Sequence, residues 1–363
     1  MKRILPIVLI LIILSGCKPA TTPTNKEPIT FISGVWITYS EVDSMLEDGK
    51  YKDAFDSAVN TCKANRITDI FLAVRPFCNS LYKSNLFPQN ELAKNYDADL
   101  LEYSVKKAHQ NEIRLHAWIN PYRVARDGTG IDNLPDDSPV KQMTPGDDYI
   151  ESGGIFLNPA SPAAIRLITE GVREICLNYK VDGIHFDDYF YPTGDENFDK
   201  VSYDKYKQKN QHPLPLDEYR ISSVNSLISS VYTAVKFCSK DIVFSVSPAA
   251  SIEKNKTDYF ADVKAWCENG CVDIIIPQLY FGFEYPDRSY RFNKLLDDWK
   301  NLLKNTEAAL VIGLGVYKTG TAAEPDREEW KNGKEIIKRQ TEICRNDDRV
   351  SGYVYFSLSD ISR

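Results

Sequence analysis

The chain has 363 residues, with 44 Lys and Arg against 51 Asp and Glu, for a formal charge of -7. That balance offers no basic footprint for nucleic acid. The length suits one large barrel or two ordinary domains. Aromatics make up 12%, with 21 tyrosines, which suits a packed core and a sugar-binding cleft equally well.

Lys2 and Arg3 open the chain, and an almost wholly apolar run from Ile4 to Leu14 follows, ending in Leu14-Ser15-Gly16-Cys17. The run is too short to span a bilayer and reads as a signal peptide. The small residues before Cys17 admit a peptidase, and the thiol can carry a lipid. Residues 1–16 are therefore expected to be a lipoprotein signal and residues 17–30 a lipidated cysteine with a flexible tether. Lys18 to Pro28 is rich in Thr, Pro, Lys and Asn and shows no periodicity. A buried strand with a chance cysteine is the blander account. The expected address is the cell envelope, anchored to a membrane and facing the periplasm or exterior. Of the 8 cysteines, those beyond Cys17 are scattered at apolar positions and read as small hydrophobes, with one or two disulfides open in an oxidising envelope.

From Phe31 to Arg363 the chain alternates short β-branched runs with amphipathic stretches. The strands are expected at Gly34–Tyr39, Asp69–Val74, Arg114–Ile119, Gly183–Phe186, Val243–Ser247, Asp273–Pro277, Leu310–Val316 and Gly352–Phe356. Helical periodicity covers Asp53–Asn65, Asp99–Gln110, Pro162–Asn178, Tyr219–Cys238, Tyr259–Glu268, Tyr290–Leu303 and Trp330–Cys344. Eight strands with crossover helices give a parallel sheet, and eight is the number that closes a (β/α)₈ TIM barrel. The reading is a single α/β domain with a short or missing last outer helix.

Within the strands one parity is aliphatic and the other polar, aromatic or small. Leu115, Ala117 and Ile119 alternate with His116, Trp118 and Asn120. Ile184 and Phe186 alternate with Gly183, His185 and Asp187. In the eighth strand Val354 and Phe356 alternate with Tyr353, Tyr355 and Ser357. The aliphatic parity is expected to face the helices and the other to face the barrel axis and its mouth.

Barrel enzymes work at the C-terminal ends of strands. The residues there are Glu41 and Asp43, Arg75, then Asn120, Tyr122 and Arg123. Asp187 and Asp188 follow the fourth strand, Ser247 the fifth, and Gln278, Tyr280 and Glu284 the sixth. Tyr317, Lys318, Ser357 and Asp360 complete the set. Adjacent carboxylates resist joint ionisation unless a positive or hydrogen-bonding group is near, and Arg75, Arg123 and His185 are available. Glycoside hydrolysis needs two carboxyl groups flanking an anomeric carbon. Asp187 is the expected nucleophile or base. Glu284, with Phe281, Phe283 and Tyr285 to desolvate it, is the preferred acid over Glu41 and Asp188. Trp118 offers a face for a sugar ring. Arg75, His116, Asn120, Tyr122, His185, Gln278, Tyr280 and Tyr317 complete the expected substrate-binding set, and six of these residues, Arg75, Trp118, Asn120, His185, Gln278 and Tyr280, are expected to share one cavity. For each, a structural role competes: Asp187–Asp188 as a loop cap or Ca²⁺ site, Trp118 as barrel filling, His116 as a core histidine.

Several stretches resemble the bacterial glycosyl-hydrolase-like family 10 proteins. They are Gly34-Val35-Trp36, Ala73-Val74-Arg75-Pro76, Leu81-Tyr82-Lys83-Ser84, His116–Arg123, Phe156-Leu157-Asn158-Pro159, Val181–Pro192, Ser245-Val246-Ser247-Pro248, Ile276–Tyr280, Ile312–Tyr317 and Tyr353–Leu358. The resemblance runs from about Phe31 to Ser359. It implies a TIM barrel that cleaves envelope or environmental polysaccharide without a cofactor, and for some members peptidoglycan strands stripped of stem peptides. It transfers no general acid. The expected partner is an oligo- or polysaccharide, and the expected state a monomer. The competing functions are a carbohydrate-binding lipoprotein without catalysis and a metal-dependent barrel hydrolase. The latter wants several His and carboxylate ligands, whereas the chain has 4 His and no first-strand His-x-His.

Overall fold

The computed structural model describes residues 29–320 and 327–361. The strands in chain order are β1 (Ile32–Ile37), β2 (Asp69–Arg75), β3 (Arg114–Ile119), β4 (Tyr149–Glu151), β5 (Ile155–Leu157), β6 (Gly183–Phe186), β7 (Val243–Val246), β8 (Ile274–Ile275), β9 (Ala309–Leu310), β10 (Ile312–Leu314) and β11 (Gly352–Tyr355). β4 and β5 form a separate antiparallel hairpin, which sequence periodicity did not reveal. The others form one parallel ladder in the order β10-β11-β1-β2-β3-β6-β7-β8-β9. β9 and β10 are halves of one strand broken at Val311, whose N–H still donates to Ile275 O at 3.0 Å. The ladder therefore closes on itself as an eight-stranded TIM barrel.

The outer helices follow the expected periodicity. Pro162–Asn178 starts at Ser161, whose hydroxyl accepts from Ala163 N and Ala164 N, with Pro162 in the first turn where its missing N–H costs nothing. Leu100–His109 is capped by Asp99. Several helices were not foreseen, among them the short Ile252–Thr257 after β7. Tyr39–Leu46 begins directly after β1 on a Thr38–Glu41 capping box. Lys200–Lys209 has no buried residue, so it carries no apolar stripe to read. The chain's last described helix is the short Leu358–Ile361.

Alternation sets which side chains fill the barrel. Ile32, Trp36, Phe71, Ile274, Ile276, Val311 and Val354 pack together inside it. Val35, Ile37, Ile70, Leu72, Leu115, Ala117, Ile184, Phe244 and Ile312 join the larger cluster shared with the helices. Gly183 is required inside the barrel, because a Cβ there would lie 2.2 Å from His116 Nδ1 and 2.9 Å from Val243.

The expected facing fails in two places. In β11 the parity is reversed. Val354 and Phe356 point inward, while Tyr353 and Tyr355 lie against the outer cluster. The Tyr353 hydroxyl meets Ser33 Oγ and Arg345, so its polar tip is satisfied outside the barrel. In β2 a bulge lets Ala73 pair with Trp118 while Arg75 pairs with Ile119. The extra residue turns Arg75 from the axis to the outer face.

All cysteines among the described residues are free thiols. Cys17 and the signal segment lie outside the described residues. Among those residues no helix is long and apolar enough to cross a membrane.

Candidate active site

The C-terminal ends of the strands enclose a cavity of about 180 Å³. A cavity of about 150 Å³ holds a six-membered ring such as benzene, so this one has the size for a single ring. Its walls include Trp36 and Thr38 at the end of β1, Ala73 and Pro76 after β2, and Trp118, Asn120 and Arg123 from β3 onward. Asp187, Asp188 and Tyr189 follow β6, and Ser247, Gln278, Tyr280 and Phe356 close the far side. A wider, open depression of about 1300 Å³ lies on the outer wall against Leu216–Cys238, away from the strand ends.

Asp187 is buried, with 5% of its surface exposed. Oδ2 accepts from Trp118 Nε1 at 3.0 Å and from Asn120 Nδ2 at 3.3 Å, and Oδ1 accepts from Tyr189 N at 3.3 Å. Burial first, then the neighbouring Asp188 charge, push its carboxyl up to about 7, and the three donors offset only part of this. Asp188 is half-buried beside it. Burial raises its carboxyl too, with hydrogen bonding from Gln278 acting against the rise.

A buried histidine supports the floor. His185 Nε2 accepts from Trp36 Nε1 at 3.1 Å, and Nδ1 lies 2.8 Å from Ser245 Oγ. Ser247 Oγ is 3.1 Å from the same Nε2. Burial, then the nearby His116, hold the ring's pKa well below the ordinary value. The imidazole is therefore neutral, with its proton on Nδ1 because Nε2 is taken as an acceptor. It holds Trp36 and Ser247, both cavity walls, and is not itself a wall.

The remaining expected residues divide clearly. Trp118, Asn120, Gln278 and Tyr280 converge on the cavity with Asp187 and Asp188. Tyr317 stands at the rim, half-exposed, with its ring 6.0 Å from that of Tyr280. Arg75 does not join them: its guanidinium lies 4.2 Å from the Phe87 ring and beside Gly171 on the outer face. His116 sits one rung below Trp118, stacked on Phe71 and bonded through Nε2 to Asp69 at 2.8 Å. Tyr122 is buried in the outer core, with no hydrogen-bond partner on its hydroxyl. Glu284 is turned to solvent, 75% exposed, near Arg291 at 3.8 Å. Glu41 is engaged in structure. Its Oε2 accepts from Thr38 N and Oγ1, and its Oε1 from Ser357 Oγ and Ser359 N, tying the end of β1 to the segment after β11.

Trp36, Thr38, Tyr39, Ala73 and Phe356 also line the cavity and were not singled out from sequence. Trp36 was readable, since it shares inward parity with Gly34. Phe356 was hidden by the reversed facing of β11.

A closed parallel barrel with a carboxyl pair at its C-terminal mouth defines a TIM barrel of the kind glycosidases use. The sequence profile of the family described as glycosyl hydrolase-like 10 matches residues 31–332, and the chain belongs to that family. It is 27% identical over 319 residues to "Glycosyl hydrolase YngK" of Bacillus subtilis, covering 81% of this chain and 60% of that protein. It thus spans less than two thirds of that relative. It is also 27% identical to "Glycosyl hydrolase DigH" of Escherichia coli K12, over 94% of this chain and 86% of the relative. Among solved structures it resembles the PgaB (BpsB) glycoside hydrolase domain from Bordetella bronchiseptica. That match has a TM-score of 0.58 at 12% identity, covering 92% of this chain and 96% of the domain. An endo-1,4-β-mannanase from Rhizomucor miehei matches with a TM-score of 0.51 at 11% identity, over 92% and 88% of the two chains. These likenesses show the shared fold.

Proposed function

We propose that the protein hydrolyses O-glycosidic bonds of an envelope or environmental polysaccharide, with Asp187 and Asp188 as the working pair. The observation that carries this reading is the placement of both carboxyl groups in one ring-sized cavity at the barrel mouth, each with a raised pKa. Such a pair holds a proton near neutral pH, which glycoside cleavage needs on one member and not on the other.

The roles follow from the surroundings. Before substrate binds, burial favours the proton on Asp187. A sugar N–H or O–H donating to Asp187 stabilises its anion and leaves the proton to Asp188. Asp188 then protonates the glycosidic oxygen as the C–O bond breaks. Asp187 stabilises the charge developing at the anomeric carbon, as nucleophile or base, or by steering a 2-acetamido group of the sugar itself. Water completes the reaction by adding its hydroxyl to the anomeric carbon, while its proton goes to Asp188 or, where Asp187 acts as the base, to Asp187. Trp118 and Tyr280 supply faces for the ring, and Asn120 and Trp118 keep Asp187 in position. Glu284 and Glu41 take no part, because one faces solvent and the other is bound on both oxygens.

Peptidoglycan strands without stem peptides are the substrate we favour. Anchoring at Cys17 in the envelope would bring the barrel to them. The test is to incubate the purified protein with such strands and with neutral polysaccharides, and to follow new reducing ends by mass spectrometry. Release by the wild type and its loss in folded Asp187→Asn and Asp188→Asn support the reading. Strand binding without any release would make the protein a carbohydrate-binding lipoprotein instead.

A further inference from the structure

Arg123 is the cation among the residues lining the cavity, which it shares with Asp187, Asp188 and Tyr189. Its backbone is fixed before any ligand arrives. Arg123 N donates to Asn120 Oδ1 at 3.0 Å, Arg123 bridges to Phe156 of β5, and the flanking Tyr122 O and Val124 N bond to Leu157 and Ile155. Its guanidinium lies near two rings, 5.2 Å from that of Phe77 and 5.3 Å from that of Tyr189. Cation–π contact with both rings restrains the guanidinium and leaves its N–H donors for an acceptor.

The charge has little to answer it. Its ion-pair partner is Asp127, at 3.7 Å and 80% exposed, while the Arg123 side chain is 19% exposed. A pair that loose and that open to water contributes little. The neighbouring Arg126 is occupied by Asp43. The arginine is thus a pre-set cation in a sugar-sized cavity.

We propose that Arg123 is a specificity residue that receives a carboxylate carried by the sugar beside the scissile bond, so that the substrate is an acidic polysaccharide. This rests on the glycosidase reading. A planar carboxylate matches the guanidinium fork with two parallel hydrogen bonds, which a hydroxyl cannot do. The cost of leaving the charge unanswered in a half-buried site falls away when that group binds.

The test compares two forms of one substrate: peptide-free glycan strands bearing lactyl carboxylates, and the same strands with the carboxylates chemically reduced to alcohols. The wild type is expected to cut the carboxylate form with kcat/KM on the order of tenfold higher, the scale of one charge-assisted hydrogen bond. The difference is expected to lie in KM and to shrink with added salt. In Arg123→Gln the ratio between the two forms is expected to fall to near one. Equal rates on both forms by the wild type would overturn the proposal, as would a ratio that survives in Arg123→Gln. Both outcomes leave the glycosidase reading standing. If neither form is cut, the glycosidase reading fails. Calorimetric binding of the two forms to the wild type and to Arg123→Gln then decides the subsite by the same ratio. A wild-type preference for a sulfated or phosphorylated glycan over the carboxylate form would also overturn it.

Discussion

Replacing Asp187 with Asn is expected to abolish turnover and, above neutral pH, to stabilise the fold. Asp187 is 5% exposed, and its carboxyl rises from 3.8 to about 7 in the folded protein. Below pH 4 both states carry the protonated acid, so folding bears no penalty from it. Between pH 4 and 7 the unfolded chain ionises Asp187 while the folded protein keeps it protonated. Stability therefore falls as pH rises through that window and levels off above it. Each pH unit in the window costs about 1.4 kcal/mol, so the fully developed penalty is on the order of 4 kcal/mol. Asn removes the titration but presents an NH₂ to one of the donors from Trp118, Asn120 or Tyr189. The expected net gain at pH 8 is therefore on the order of 2–4 kcal/mol over the wild type. At pH 4 the gain should vanish or turn into a small loss. Urea unfolding of both proteins at pH steps from 4 to 9 measures this directly. Parallel stability curves would refute the reasoning, since they would mean that Asp187 ionises as readily folded as unfolded.

Glu284→Gln is expected to keep turnover within roughly twofold of the wild type, as surface changes usually do, because Glu284 faces solvent beside Arg291; a collapse in kcat would return the acid role to it. Glu41→Gln is expected to lower stability by about 1–3 kcal/mol in chemical unfolding, since Glu41 joins Thr38 to Ser357 and Ser359. The pH–rate profile should keep its shape, and loss of its basic limb would speak for an acid role instead. Cys17→Ala is expected to move the protein from membranes to the soluble fraction, and unchanged fractionation with membranes would remove the lipid anchor from the proposal.

The barrel was legible because alternation with a period of two is a direct consequence of the pleat. It placed Leu115, Ile184, Phe244 and Ile312 against the helices correctly. It also put His116, Trp118, His185 and Gly183 on the inner side. β11 was opaque because both parities are large and apolar enough to face either way. There the decision falls to tertiary partners, Ser33 and Arg345 for the Tyr353 hydroxyl. Arg75 was misplaced because a one-residue bulge leaves no mark on composition, yet flips every side chain beyond it. Glu284 was misjudged because its aromatic neighbours pack among themselves and with Tyr290 and Phe292, away from its carboxylate.

Parity tells which side of the sheet a residue faces, and function depends on height along the barrel axis as well. His116 and Trp118 share a strand and a facing. His116 sits level with Gly183 and Trp118 level with His185. At the lower rung the imidazole is paired to Asp69, whose carboxyl is held down to about 2 by His116 and Arg114 against the effect of burial. Such a group is committed to holding the barrel together. One rung higher the indole N–H reaches Asp187, just beyond the end of β6. There the ladder stops and backbone no longer fills the space, so a side chain can meet a ligand. The residues of the cavity are therefore those that combine inward parity with a position at or past the last paired rung. His185 is the boundary case. It is inside and fully buried, yet it touches Trp36 and Ser247, which do line the cavity. Its neutral ring passes the order of the core to the mouth, which is how a rigid barrel can hold a mismatched carboxyl such as Asp187 in place.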